Sequence, residues 1–346
     1  MATTQIREFL LVSLFEEFLQ ASKTGRRLKR DGGALSKGTI ESYGWVLREV
    51  KLFEEKTGQK IRLRIINKLN ARQLAIEKRY WERFYRKYTD YLYAKGSFDN
   101  YVGVHIKVLK TFFAYLKTEK LMAIGDFYKG FYVRSENVPI IVFTQDQLKY
   151  LISNEAFEES LPPHLRRTKD LVVFGSTVGL RYSDLIKLTK RNIEKVNGAS
   201  YLKVRSRKTK TETVIKLPDY AIQITRKYRH FPTILPVISK ARMNKNIKEL
   251  CERAGWNQAV GKSRARKGLA RNVMLEGEQA RFCDLVTTHT MRKTAITTLL
   301  ILGVPEQVVR KISGHAPGSK EFFRYVHYSQ HYIDSATDSA FDRLQE

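Results

Sequence analysis

Between residues 128 and 139 the sequence loses the apolar spacing that runs through everything before it. No other feature constrains the fold as strongly, because stretches of different periodicity pack in different ways. Upstream, apolar residues recur every three or four positions. Residues 6–20 read as a helix, broken by the glycine-rich, basic stretch 22–38. A second helix is predicted from Thr39 as N-cap, with Tyr43, Val46, Leu47, Val50 and Phe53 on one face and Gly58 at its end. Trp81, Phe84, Tyr85, Tyr88 and Leu92 mark a third, and Val102, Ile106, Leu109, Phe113 and Leu116 a fourth. This spacing makes Trp81, Tyr85 and Tyr88 core residues rather than platforms for stacking bases. Downstream, Thr144 and Gln147 form a capping box opening a helix over 144–153. A long helical stretch is expected over about 168–190. Alternation of Leu202, Val204 and Ser206, answered by Thr213, Ile215 and Leu217, predicts a hairpin with its polar turn at 208–211. Residues 261–271, basic and poor in apolar side chains, read as a mobile loop. With 346 residues the chain exceeds one ordinary core. The expected organisation is a helical domain over 1–134, a linker over 135–143 and a second domain over 144–346.

The 63 Lys and Arg against 35 Asp and Glu leave a net charge of +28, which makes a polyanion the natural partner. With 42% hydrophobic residues, that charge rides on a folded chain rather than a disordered tail. Cys251 and Cys283 are the only cysteines, too few for a disulfide framework or a four-cysteine zinc site, and they suit a reducing cytoplasm. No apolar run approaches the roughly 18–20 residues that span a bilayer, and no signal peptide is read at the N-terminus. Lys107 and Lys110 lie away from the apolar stripe of the fourth helix. Together with Arg264, Arg266 and Lys267 of the basic loop, they are candidate phosphate contacts.

Signatures of nucleotide hydrolysis and metalloprotease chemistry are missing: there is no Walker A loop, no HExxH motif and no cluster of carboxylates. What remains is an ordered series. Gly179-Leu180-Arg181-Tyr182-Ser183-Asp184-Leu185 comes first, then Arg207-Lys208-Thr209-Lys210, His289-Thr290-Met291-Arg292, Ser313-Gly314-His315 and Tyr325. This order and spacing resemble the catalytic domain of the tyrosine recombinases, the integrases of phages and conjugative transposons. The resemblance spans about 144–330 and departs from the family pattern by one extra residue between Gly-His and the tyrosine.

The resemblance implies a mainly α fold: an all-α, SAM-like core-binding domain, then an α+β catalytic domain with a small β-hairpin, forming a two-domain DNA clamp. It implies a catalytic set of Arg181, Lys208, His289, Arg292, His315 and Tyr325, with neither metal nor cofactor. The chemistry of the residues agrees. Guanidinium groups give the fixed, permanently charged hydrogen bonds that a pentacoordinate phosphorus needs, which suits Arg181 and Arg292. A tyrosine attacks only with help from a base and nearby positive charge, and His289, one helical turn before Arg292, suits that task. His315 is expected to donate to a phosphate oxygen, and Asp184 to orient the Arg181 guanidinium from behind. The family gives Lys208 the role of general acid to the leaving 5′ oxygen. Tyr325, Tyr328 and Tyr332 all follow His315, and Tyr325 stands nearest the family's spacing.

The function expected is site-specific cutting and rejoining of double-stranded DNA through a 3′-phosphotyrosyl intermediate, for integration or excision of a mobile element. The working form would be a homo-oligomer, a tetramer on paired sites, docked through the C-terminal stripe of Ile333, Ala336, Thr337, Ala340, Phe341 and Leu344. DNA-bending or excision accessory proteins fit that reading, as does a cytoplasmic, nucleoid-associated setting of bacterial or phage origin. Two alternatives stand beside it: a type IB topoisomerase-like nicking-joining enzyme, and a non-catalytic DNA-binding protein with the inherited fold.

Overall fold

The computed structural model describes residues 7–29, 31–205, 212–275 and 277–345. The chain divides into two compact units, one of residues 1–138 and 263–272, the other of residues 139–262 and 273–346.

The first unit opens with a short strand, β1 (Glu8–Leu10), running directly into α1 (Leu11–Lys23). α2 (Lys37–Thr57) follows, then β2 (Arg62–Arg64), α3 (Ala71–Ala94) and α4 (Asp99–Thr118). β1 pairs antiparallel with β2, Phe9 opposite Leu63, so this part of the chain is helical with a ribbon added. The second helix is capped three residues before the expected Thr39, because the Ser36 hydroxyl accepts from the Thr39 backbone N–H. Its stripe falls inward as predicted, with Tyr43, Val46, Leu47, Val50 and Phe53 buried. Trp81 and Tyr88 are fully buried, Trp81 stacking on Phe127 with ring centroids 4.5 Å apart, while the Tyr85 hydroxyl donates to the Tyr132 carbonyl. Each such ring contributes on the order of 2 kcal/mol through burial.

The second unit begins with α5 (Gln145–Ser153), whose capping box at Thr144 and Gln147 forms as read. α6 (Glu155–Ser160) and α7 (Pro163–Val178) follow, and the expected helix over 168–190 is cut short when Gly179 turns left-handed. α8 (Tyr182–Leu185) is a single turn. Next comes a three-stranded antiparallel sheet, β3 (Ile193–Val196), β4 (Ala199–Arg205) and β5 (Glu212–Lys216), in the order β3-β4-β5. The predicted hairpin is its second half: Leu202 faces Ile215 and Val204 faces Thr213, all four buried. α9 (Asp219–Lys227) and α10 (Lys240–Arg253) pack on α7, and Cys251 and Cys283 are free and buried in the same core.

The stretch expected to be a mobile loop is an ordered hairpin instead: β6 (Ser263–Arg266) pairs with β7 (Leu269–Asn272) and belongs to the first unit. Its two-residue turn places Lys267 at φ 56° and Gly268 at φ 80°, the mirror-image turn that matches the twist of a hairpin. The chain then returns to the second unit through β8 (Met274–Leu275) and β9 (Glu278–Gln279). α11 (Phe282–Leu285), α12 (Thr288–Ile301), α13 (Glu306–Ser313) and α14 (Lys320–Gln345) complete it. The near ends of α12, α13 and α14 enclose a small core of Ile296, Leu300, Val309, Phe322 and Tyr325. No helix among the described residues is long and apolar enough to cross a membrane.

Candidate active site

Two helix ends build the site. α7 stops at Gly179 (φ 64°) and α13 at Gly314 (φ 61°), both in the left-handed conformation that favours glycine. At Gly179 space is also short, since a Cβ there would lie 3.2 Å from that of Ala295 on α12. Each glycine reverses the chain just ahead of a site residue: Arg181 follows the first and becomes the N-cap of α8, and His315 follows the second.

Arg292 joins these ends. It projects from the buried side of α12 and is 3% exposed. Its guanidinium donates to the Gly179 carbonyl (2.8 Å) and the Ser313 carbonyl (2.5 Å), and one of its nitrogens lies 3.3 Å from His315 Nε2. Those carbonyls are the orphan acceptors of two helix C-termini, so the cation satisfies groups that burial would otherwise leave unpaired. Burial and then the charge of Arg181 pull its pKa down to about 10, opposed by Tyr325, Asp184 and Glu321. It stays charged at neutral pH.

His315 is pushed down to about 4 by burial and by the charges of Arg292, Arg181 and His289. His289, whose ring reaches the surface of α12, is held at about 4 by the protein around it, then by Lys293 and Arg292. Both imidazoles are therefore neutral at pH 7. Tyr325 is 2% exposed, its ring centroid 6.0 Å from that of His315. Burial and Glu321 raise its pKa, whereas Arg292 and Arg324 lower it.

Of the six residues expected to carry the chemistry, five gather in this unit: Arg181, His289, Arg292, His315 and Tyr325. Lys208 lies outside the described residues. Tyr328, one turn further along α14, is 39% exposed against 2% for Tyr325. Asp184 is buried at the start of α8, within electrostatic reach of Arg292. Sequence reasoning missed Glu321, whose carboxylate acts on His289, Arg292 and Tyr325 alike; its only signal was an acid one helical turn before the tyrosine.

The expected phosphate contacts all belong to the first unit. Lys107 is exposed on α4. Lys110 donates to the carbonyls of Lys129 (2.8 Å) and Phe131 (3.0 Å). Arg264 pairs with Glu136 (2.7 Å), Lys267 with Asp90 (2.7 Å), and Arg266 donates to the Tyr93 carbonyl. These four cations are engaged within the protein.

Residues 142–331 match the phage integrase family. No curated protein matches the chain in sequence. Among solved structures, XerH site-specific recombinase bound to palindromic difH substrate aligns with TM-score 0.62 at 12% identity, over 94% of this chain and 95% of that one. Lambda integrase(75–356), a dimer bound to a COC′ core site, aligns with TM-score 0.61 at 13% identity over 92% and 95%. The Tn1549 transposon integrase with circular intermediate DNA gives 0.59 at 15% over 92% and 95%. At such identities the structures speak for the fold, and the sequence match, which takes in more than half of the chain and every position expected to be catalytic, speaks for descent. The chain accordingly belongs to the phage integrase family, the tyrosine-type site-specific DNA recombinases.

Proposed function

We propose that this recombinase cuts and rejoins DNA through a covalent 3′-phosphotyrosyl bond to Tyr325, and that it serves integration or excision of a mobile element. The observation that carries the reading is the union in one site of a buried tyrosine, a neutral histidine and a buried arginine: Tyr325 against His315, and His315 against Arg292. Arg181 and Arg292 hold the non-bridging oxygens of the scissile phosphate, where developing charge is stabilised by donors already in position. Tyr325 Oη attacks phosphorus while His289, neutral at working pH, accepts the phenolic proton. Lys208 supplies a proton to the 5′ oxygen as its bond to phosphorus breaks. The 5′ hydroxyl of a partner strand then reverses the step, displacing the tyrosine. The phosphodiester's bond energy is kept in the phosphotyrosine, so the reaction needs no nucleotide. Asp184 orients the arginines from beneath.

The partner is double-stranded DNA, consistent with a net charge of +28 and with solved relatives bound to core-site and Holliday-junction DNA. The first unit serves as the core-binding domain, with exposed Lys107 a phosphate contact. The relatives' dimeric and tetrameric assemblies support a homo-oligomer here, a tetramer on paired sites. Replacing Tyr325 by Phe removes the attacking oxygen alone. On a nicked suicide duplex, Tyr325→Phe is expected to abolish the covalent adduct with DNA affinity kept within about threefold. Adduct at wild-type yield would pass the role to Tyr328 or Tyr332.

A further inference from the structure

Ser313, the last residue of α13, is 3% exposed, and its hydroxyl oxygen lies 2.8 Å from His315 Nδ1. The direction of this contact follows from its surroundings. Arg292 approaches the other ring nitrogen, Nε2, at 3.3 Å, and a guanidinium has donors only. This contact is a hydrogen bond when Nε2 presents its lone pair, which puts the ring proton on Nδ1. Nδ1–H then donates to Ser313 Oγ, and the Ser313 hydroxyl passes its own hydrogen to the Arg310 carbonyl at 3.3 Å. With that tautomer Arg292, His315, Ser313 and Arg310 form one consistent chain of donors.

This order matters for the role proposed for His315, on which the inference rests. A ring whose Nε2 accepts from Arg292 has no proton there to give a phosphate oxygen. It gains one by becoming imidazolium, and a bound phosphate favours this because its oxygens draw the Arg292 donor away while its charge offsets the nearby cations. Throughout, Nδ1–H keeps the same acceptor, so the ring need not flip. We propose that Ser313 is a positioning residue that fixes His315 as the Nδ1–H tautomer, so that Nε2 takes up its proton only when the scissile phosphate arrives. The charged and titratable groups facing the ring are Arg292 and His289 from α12, Arg181 from the start of α8 and Tyr325 from α14. Burial, and then the cations among them, keep the ring neutral in the free enzyme, and its pKa of about 4 accords with this.

The test uses the full-length protein labelled with ¹⁵N-histidine, together with single-turnover cleavage of a nicked suicide duplex across a range of pH. In the free wild-type protein at pH 7, His315 is expected to show a pyrrole-type Nδ1 and a pyridine-type Nε2. The opposite pattern overturns the inference, and this measurement needs no variant to fold. Ser313→Ala leaves only the long 3.3 Å contact with Arg292 to bias the ring, so it should mix the tautomers and slow cleavage roughly 10-fold. It should also move the alkaline limb of the pH profile to lower pH, because imidazolium loses an acceptor; Ser313→Thr, which keeps the hydroxyl, should restore that limb. A rate loss equal at every pH, or an unchanged tautomer in Ser313→Ala, would make Ser313 merely structural. His315→Ala separates the two readings: if it cleaves as well as wild type, the role given to His315 fails, while the nitrogen spectrum still decides the tautomer.

Discussion

A cation buried as deeply as Arg292 is tolerable only where acceptors meet it, and here two helix-end carbonyls and His315 do so, each from one of its two terminal nitrogens. Lysine keeps the charge but not the planar fork that reaches several acceptors at once. Arg292→Lys should therefore lower single-turnover cleavage by roughly 100-fold or more while duplex affinity changes little; cleavage within tenfold of wild type would remove the need for the guanidinium. A second residue-scale consequence concerns His105 in the first unit. It is 2% exposed, its Nδ1 lies 2.9 Å from the Tyr88 hydroxyl, and burial pushes its pKa down from 6.5 to about 4. The unfolded chain binds this proton first as pH falls. Its stabilising contribution is complete above pH 6.5 and is lost as pH falls towards about 4, a change on the order of 3 kcal/mol. Thermal unfolding should show a flatter acid dependence in His105→Gln than in wild type over that window, and identical slopes would put the acid sensitivity elsewhere.

Among the elements, the basic hairpin of β6 and β7 departs most from what its sequence suggests. Arg-Ala-Arg and Leu-Ala-Arg around Lys267-Gly268 offer no apolar face to read, because polar contacts hold the ribbon. The turn amides of Lys267 and Gly268 donate to the buried Asp99 carboxylate at 2.8 and 2.9 Å, and the Tyr93 hydroxyl adds a third bond at 2.6 Å. Such contacts are invisible to periodicity, as are β1 and β3, which are too short to alternate convincingly. The long helices of the first unit were legible for the opposite reason, since one buried face repeats along each of them. The residues expected to be catalytic lay between these cases: their order carried the resemblance, but only the turns at Gly179 and Gly314 explain how residues so distant in sequence meet. If Arg264 is committed to Glu136, Arg264→Gln should leave the slope of log K against log salt unchanged for duplex binding. Loss of a phosphate contact would reduce that slope by about 1. Asp99→Ala should speed amide exchange across residues 263–272, and unchanged protection there would show that the ribbon is held without its carboxylate anchor.

For the whole molecule, the decisive question is whether α14 serves its own chain or a neighbour's. The helix changes character along its length. Phe322, Tyr325 and Ser329 are buried against α12 and α13, whereas Ile333 is only half-buried and Phe341 is 59% exposed. The first half therefore holds Tyr325 in its own core. The apolar residues of the second half have a use if a second protomer covers them, since a terminal amphipathic helix can dock on a neighbour at little topological cost. Removing residues 333–346 should leave the melting temperature within about 2 °C of wild type, because the residues that α14 gives to the small core all lie before 333. Binding of one protomer to a half-site should persist, and the higher-order complex on a full site should be lost, as gel mobility and light scattering would report. If the truncated chain instead unfolded, or assembled on a full site as well as wild type, the tail would act in cis. An enzyme that nicks and rejoins DNA as a single protomer would then be the better account of the same active site.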